Sequence, residues 1–144
     1  MKWLVMTPAT IFGLLLVFWL GMKTYYAVVV NESVTEELRQ NPGGERAALV
    51  MLLTFPDGRE LPVNYLREGN QVFAGADGQW WRAFRDGAVP VKLYIRGEEL
   101  SGRARTIMDD PQYTKDVFER LRPNVPKWLP DWLNAHLVVI DLDA

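Results

Sequence analysis

The sequence contains no cysteine, which excludes disulfide bonds, thiolate nucleophiles and cysteine-ligated metal sites. It contains one histidine, His136, and the usual multi-histidine metal sites need more than one. The formal net charge is −2 over 144 residues, so the whole chain has no electrostatic attraction for nucleic acid. The sequence also shows no nucleophile with a base and an orienting group, and no phosphate-cradling glycine loop. These absences argue against a hydrolase, a metalloenzyme and a nucleic-acid-binding protein, and no catalytic side chain can be assigned.

Charge is also missing from the first part of the chain, between Trp3 and Met22. A helix of about twenty residues spans about 30 Å, the thickness of the hydrocarbon core of a bilayer. Aromatic residues typical of membrane interfaces flank this run: Trp3, Trp19, Tyr25 and Tyr26. No small-x-small cleavage site follows, and buried globular helices rarely run this long without a charge. We therefore predict a single-pass transmembrane anchor over residues 1–30 rather than a signal peptide or a core helix.

Residues 31–45 are predicted to form a neck between the anchor and a domain over residues 46–144. Ser33 and Glu36 have the spacing of a capping box, which predicts a short helix that begins at Ser33 and ends at Gln40. Lys2 and Lys23 lie on opposite sides of the span, so positive charge does not fix its orientation. We expect the domain on the cytoplasmic side of the cell membrane.

The domain sequence is dominated by strand-like segments separated by turns. Strands are predicted over Ala47–Thr54, Leu61–Glu68, Gln71–Ala74, Val89–Ile95, the segment after Gly97-Glu98, and His136–Leu142. Ala47–Thr54 is apolar on both faces, which predicts a central strand covered from both sides. A tight turn at Gly97-Glu98 would pair Tyr94 with Ser101 and put Leu100 on the apolar side. The predicted fold is mainly β with short helices, a small antiparallel β-barrel behind the anchor.

One helical stretch, Gly75–Gly87, interrupts the strands. Asp77 is placed to cap its N-terminus, and Gly87 to end it in a left-handed conformation. Trp80 and Phe84 stand four residues apart and share a face. Such a short helix must lie on the sheet and cover an open end or a cleft, where we expect the functional site. A second helix should begin at Asp110-Pro111 and bury Tyr113, Val117, Phe118 and Leu121.

The order of several short motifs resembles a known family. Leu-Leu-Thr54, Gly58-Arg59, Pro62 to Tyr65, Gly69 and Trp80 to Phe84 follow in the order seen in deazaflavin-dependent nitroreductase-like proteins. Those proteins are split β-barrels, related to the barrels that bind flavin mononucleotide and to pyridoxamine-phosphate-oxidase barrels. An aromatic-rich helix and a closing strand extend the resemblance, which covers about Ala47 to Leu142. It implies a split barrel that binds a deazaflavin coenzyme or FMN.

The resemblance also implies a cofactor cleft between the Thr54–Arg59 loop and the Gly75–Phe84 stretch. Its implied cofactor-binding residues are Thr54, Gly58, Arg59, Gly78, Trp80 and Trp81. Arg59 would bind the phosphate and Trp81 would stack on the ring system. The chain departs from the family in two shortened loops: a first loop whose only cation is Arg59, and a second loop reduced to Ala76-Asp77-Gly78. It also has the acidic Asp77 near the implied phosphate position, and Ala83 where the family has Asn.

Each of these side chains also has a plain structural interpretation. Arg59 can be a solvated arginine after a turn, Trp81 can lie on the barrel surface, and His136 is predicted to be structural. Four cations fall on the outward face of one hairpin, where they are either solvated or available to phosphates and anionic lipid headgroups: Lys92, Arg96, Arg103 and Arg105.

Two functions remain open on this evidence. The first is a membrane-anchored split-barrel oxidoreductase that uses a deazaflavin or flavin to reduce a lipophilic acceptor such as a quinone. The alternative is a cofactor-free, membrane-tethered binding or scaffold barrel, which the shortened loops favour. The expected partners are the lipid bilayer and a small-molecule acceptor, with no nucleic acid and no metal, and a homodimer is compatible with the sequence.

Overall fold

The computed structural model describes residues 7–25, 29–130 and 135–144. Its α-helices are α1 (Pro8–Tyr25), α2 (Asn31–Gln40) and α3 (Pro111–Leu121). Its strands are β1 (Val50–Thr54), β2 (Glu60–Glu68), β3 (Gln71–Ala76), β4 (Val89–Ile95), β5 (Glu98–Ile107) and β6 (His136–Leu142). Two short 3₁₀ helices cover Arg46–Ala48 and Trp80–Phe84.

The strands form a closed antiparallel barrel in the order β1-β2-β3-β6-β5-β4, in which β4 pairs back with β1. The prediction of a small, mainly β antiparallel barrel is therefore confirmed, as is the apolar helix in front of it. Closure matters because an open edge of apolar strands would expose unpaired N–H and C=O groups to other chains. The 3₁₀ helix Trp80–Phe84 lies in the connection between β3 and β4.

Alternate residues of the strands fill the barrel, and helices cover two parts of its outside. The interior contains Met51, Leu53, Val63, Val72, Ala74, Val91, Leu93, Ile95, Ala104, Val138, Ile140 and Leu142. On the outside, α3 packs Val117 and Phe118 against Phe73 and Val139, as its predicted stripe requires. Leu38 of α2 covers Leu52, so β1 is buried on both faces as predicted. The strand is shorter than expected because residues 46–48 form a 3₁₀ turn.

The observed register of the β4–β5 hairpin differs from the predicted register by two residues. Its turn is Arg96-Gly97, with φ angles of 50° and 86°, and Tyr94 pairs with Glu99 rather than with Ser101. Two left-handed residues make the kind of turn whose twist matches the flanking strands, and glycine at the second position makes it accessible. Because the shift is even, every side chain stays on its predicted face. Gly102, Ala104 and Thr106 are buried, and Leu100 packs against the core.

Two predicted helix starts have different outcomes. Asp110 caps α3 as predicted, since its carboxylate accepts a hydrogen bond from the Tyr113 N–H at 3.0 Å. The predicted capping box of α2 is wrong, because the helix already begins at Asn31 and Ser33 lies inside it. The Ser33 hydroxyl donates instead to the Val30 carbonyl at 2.9 Å. The end of the helix at Gln40 is confirmed.

Helix α1 is long and apolar enough to cross a membrane, by length and composition. Its mean hydropathy is 1.3, and none of its side chains is buried against the rest of the protein. The Lys23 ammonium lies 4.5 Å from the centroid of the Trp19 ring, an arrangement suited to a membrane interface. The predicted beginning of the span at Trp3 and the interfacial Tyr26 lie outside the described residues.

The two faces of β4 provide a direct test of the barrel packing. Leu93 is 2% exposed, whereas its neighbour Lys92 is exposed. Leu93→Ala should lower the free energy of unfolding by about 2–5 kcal/mol, because it removes buried methyl groups and leaves a cavity. Lys92→Ala should change it by less than about 0.5 kcal/mol. Denaturant unfolding of the full chain in mild detergent measures both, and a larger cost for Lys92→Ala would contradict the face assignment.

Candidate functional site

The strand register brings the predicted site segments together at one end of the barrel. Thr54, the last residue of β1, pairs with Glu60 at the start of β2 and with Lys92 in β4. Ala76, the last residue of β3, pairs with His136 at the start of β6. The Phe55–Arg59 loop and the β3–β4 connection therefore lie at the same end, which we call the site end. All six predicted cofactor residues belong to these segments.

An aromatic cluster closes the barrel at the site end. Phe55 stacks on Phe84 with their ring centroids 5.4 Å apart and an interplanar angle of 11°. Trp80 meets both rings edge to face, each at 6.2 Å. Phe84 is completely buried and Phe55 is 4% exposed. The predicted shared face of Trp80 and Phe84 is confirmed, and it fills the space between the loop and the connection.

Arg59 lies on the outer side of this cluster. Its guanidinium carbon is 4.4 Å from the centroid of the Phe55 ring, a cation–π arrangement. The backbone N–H of Arg59 donates a hydrogen bond to the Asp57 carboxylate at 2.9 Å, and this bond stabilises the turn. Within residues 7–25, 29–130 and 135–144, no carboxylate forms an ion pair with Arg59. Its positive charge is therefore open to an anion from solvent.

The two site glycines leave their backbone accessible. Gly58 has a φ of 87°, and a Cβ placed on it would meet no atom within 4 Å. A Cβ on Gly78 would meet only Trp80, with its Cδ1 at 3.7 Å. Both turns can therefore be approached closely by a ligand. Thr54 is half-buried next to the first turn.

Trp81 stacks on a residue of its own chain. Its ring lies 3.8 Å from the imidazole of His136, centroid to centroid, with an interplanar angle of 14°. Its carbonyl accepts a hydrogen bond from the Thr106 hydroxyl at 2.7 Å. One face of the indole is thus covered, and a cofactor ring could use only the remaining face or edge. His136 has the structural contact that was predicted for it, and cofactor stacking by Trp81 stays a prediction.

Asp77 does not cap a helix, and this corrects the sequence interpretation. The 3₁₀ helix begins at Trp80 without a side-chain cap. Gly87 lies beyond its end with a φ of 151°, outside the left-handed helical conformation. The Asp77 carboxylate instead accepts two hydrogen bonds from Arg122, the residue after the end of α3, at 2.9 and 2.8 Å. This bidentate pair offsets the negative charge that counted against a nearby phosphate.

A groove beside His136 was not predicted. It has a volume of about 370 Å³ and is lined by both ends of the β5–α3 connection, by α3 and by the start of β6. Its polar side chains are those of Asp110, Thr114, Lys115 and His136, and its apolar ones include Ile107, Met108 and Phe118. These segments are distant in sequence, so no spacing could have revealed the groove.

In the described part of the chain, no group of three or more His, Cys, Asp or Glu side chains could hold a metal ion.

The outward cations of the hairpin are largely exposed. Lys92, Arg96 and Arg103 lie on the surface, and Arg103 donates to the Ala88 carbonyl at 3.3 Å. Arg105 lies 3.5 Å from the Asp141 carboxylate. The ordinary solvated interpretation accounts for all of them.

Comparison with solved structures places the fold. The chain is similar to the crystal structure of a protein from Listeria innocua assigned as a pyridoxamine 5'-phosphate oxidase, with a TM-score of 0.50 and 14% identity. That match covers 67% of this chain and 85% of the other. A protein from Jannaschia sp. assigned as general stress protein 26 matches with a TM-score of 0.47 and 12% identity, over 77% and 74% of the two chains. No family model and no curated protein matches the sequence.

The chain therefore has the fold of a small split β-barrel, like that of the Listeria innocua protein. At 14% identity the likeness concerns the fold alone. The resemblance to deazaflavin-dependent nitroreductase-like proteins stays a prediction from sequence motifs.

Proposed function

We propose that this protein is a membrane-tethered split-barrel oxidoreductase. It binds a flavin-type cofactor, FMN or a deazaflavin, at the site end and reduces a lipophilic acceptor such as a quinone. The observation that carries the proposal is Arg59, a cation without an ion pair among the described residues, on an open glycine turn against the Phe55 ring of the aromatic cluster. The fold adds support, because the Listeria innocua protein that shares it is assigned as an oxidase, a pyridoxamine 5'-phosphate oxidase.

The residues at the site end fit the phosphate of such a cofactor better than they fit its ring. Arg59 can form charge-assisted hydrogen bonds to phosphate oxygens, and the bare backbone at Gly58 allows a close approach. The barrel interior is closed by Phe84, so the ring would lie outside it, against the exposed parts of Trp80 and Trp81. Asp77 is no obstacle, since Arg122 neutralises it.

When bound, the cofactor supplies the hydride or electron transfer, so the protein needs no nucleophile–base set. The side chains of this chain then have three tasks. Arg59 holds the phosphate, the tryptophans orient the ring, and the cluster around Phe55 keeps water out of the barrel behind it. Helix α1 would hold the barrel close to the bilayer, in which a lipophilic acceptor is concentrated, with the barrel on the cytoplasmic side.

Titration of the full chain in detergent with FMN, and separately with a reduced deazaflavin, tests the proposal through tryptophan fluorescence. We expect saturable quenching. A charge-assisted hydrogen bond is worth about 1.5–3 kcal/mol, so Arg59→Ala should weaken binding roughly tenfold to hundredfold. Trp81→Ala should weaken it by a similar factor if its free face meets the ring. Arg103→Ala removes an equal charge elsewhere on the surface and should leave the curve unchanged.

The absence of saturable quenching with either cofactor, up to about millimolar concentration, would remove the reductase proposal. The alternative is then a cofactor-free, membrane-tethered scaffold barrel. One observation favours that alternative specifically. The stacking of Phe55 on Phe84 fills the space that the family resemblance assigns to the cofactor cleft. Equal weakening by Arg59→Ala and Arg103→Ala would also count against the assigned site, because it would indicate a non-specific charge effect.

A further inference from the structure

The segment between α3 and β6 is attached to the site end at both of its described limits. At its start, Arg122 binds Asp77 with two hydrogen bonds and donates to the Gly75 carbonyl at 3.4 Å. After it, His136 pairs with Ala76. The chain is therefore fixed to the site end just before Pro123 and again at His136.

This segment exposes an apolar side chain to an unusual degree. Trp128 is 79% exposed, more than Phe12 of the candidate span, at 70%. Val125 is 39% exposed in the same segment. Tryptophan is on average a highly buried residue, because its ring removes a large apolar area from water. The ring is therefore available for contact with another surface.

Backbone turns hold Trp128 outward. The N–H of Val125 donates to the Arg122 carbonyl at 3.2 Å, and the N–H of Leu129 donates to the Pro126 carbonyl at 3.2 Å. Pro126 and Pro130 restrict the chain on both sides of the ring. The exposed position of Trp128 is thus part of an ordered turn, with the cation Lys127 beside it.

We propose that the Pro123–Pro130 segment docks on the lipid headgroup region of the bilayer, with Trp128 at the boundary of the acyl chains and Lys127 among the phosphates. Tryptophan prefers this region, because its ring is apolar and its N–H needs a polar partner. Lysine adds attraction to anionic lipid. Docking turns the site end toward the membrane, so that a lipophilic acceptor reaches it from the bilayer. The inference rests on the membrane tether in the proposed function, not on the identity of the cofactor.

A bilayer suits this surface better than a protein partner does. A stable protein interface buries about 800 Å² on each side, far more than one tryptophan and one valine offer. A tethered domain needs much less, since the tether makes the second contact intramolecular and its effective concentration high. The described candidate span ends at Tyr25, and α2 begins only six residues later, at Asn31. The domain is therefore held close to the membrane surface.

The absence of cysteine allows a direct test with one label per molecule. Asn124→Cys places an environment-sensitive fluorophore in the docking segment, and Glu99→Cys places it next to the Arg96-Gly97 turn, at the opposite barrel end. The full chain is reconstituted into vesicles containing phosphatidylserine and a lipid with a headgroup quencher. We expect quenching of the Asn124 label and little quenching of the Glu99 label. Adding Trp128→Ala should reduce the Asn124 quenching to the Glu99 level.

Leu49→Ala serves as the matched control, because Leu49 is 65% exposed but lies before β1, away from the site end. It should leave both labels unchanged. Equal quenching of the two labels, or no quenching of the label at position 124, would overturn the docking proposal. Undiminished quenching of that label in the Trp128→Ala variant would also overturn it. The FMN titration is independent of these results, so failed docking and failed cofactor binding are distinguished.

Discussion

Phe84→Ala is expected to lower the free energy of unfolding by about 3–5 kcal/mol, as loss of a buried phenylalanine does. Phe84 is completely buried and forms the centre of the aromatic cluster with Phe55 and Trp80. Its removal leaves a cavity behind the loop that bears Arg59, and the neighbouring rings of Phe55 and Trp80 can fill that cavity only in part. Small domains are stable by about 5–15 kcal/mol, so this loss is a large share of the total.

Denaturant unfolding of the full chain in detergent measures the effect. Trp128→Ala is the matched control, because it removes a larger ring that is 79% exposed. Its cost should stay below about 0.5 kcal/mol, as for other exposed positions. A small cost for Phe84→Ala would show that the cluster does not close the barrel, and the cleft implied by the family resemblance would again be open to a cofactor ring. A large cost for Trp128→Ala would mean that its ring is packed.

Two lysines in the middle of α1 should release the protein from the membrane. Leu15 and Phe18 lie three residues apart and are 61% and 68% exposed. Each lysine at the centre of a span costs about 2.5–3.5 kcal/mol, so Leu15→Lys with Phe18→Lys should cost roughly 5–7 kcal/mol. The wild-type chain should remain in the membrane fraction through a carbonate wash, and the double variant should not.

The control adds the same charge to the outside of the domain. Ser101 and Gln112 are exposed, so Ser101→Lys with Gln112→Lys should leave the protein in the membrane fraction. Release of the wild-type chain by carbonate would contradict the anchor outright. Retention of the Leu15→Lys, Phe18→Lys variant would mean that α1 is not surrounded by lipid.

Local patterns predicted the elements of this fold well. Alternation in β4 identified the buried face of Leu93, and the Asp110-Pro111 pair identified the start of α3. These features depend on residues a few positions apart, which share one strand face or one helical turn. The register of the hairpin was harder, because a shift by two residues preserves every face and leaves the pattern of apolar residues unchanged.

The candidate site was predicted in its location but not in its arrangement. Thr54, Arg59 and Trp81 were placed at one site, and the register does bring their segments to one barrel end. Asp77 was misassigned, because its real partner, Arg122, is 45 residues away. A capping role is the default for an aspartate before a helix when only local sequence is considered.

By itself, the sequence determined the apolar span, the six strands and the faces that they bury, because hydrophobic periodicity acts over neighbouring residues. Only the tertiary structure decided that Phe55 meets Phe84 and closes the barrel, that His136 covers Trp81, and that Arg122 neutralises Asp77. Each of these contacts joins residues from segments that are far apart along the chain. Barrel closure creates them by bringing the ends of distant segments to one place, and periodicity carries no information about which ends will meet.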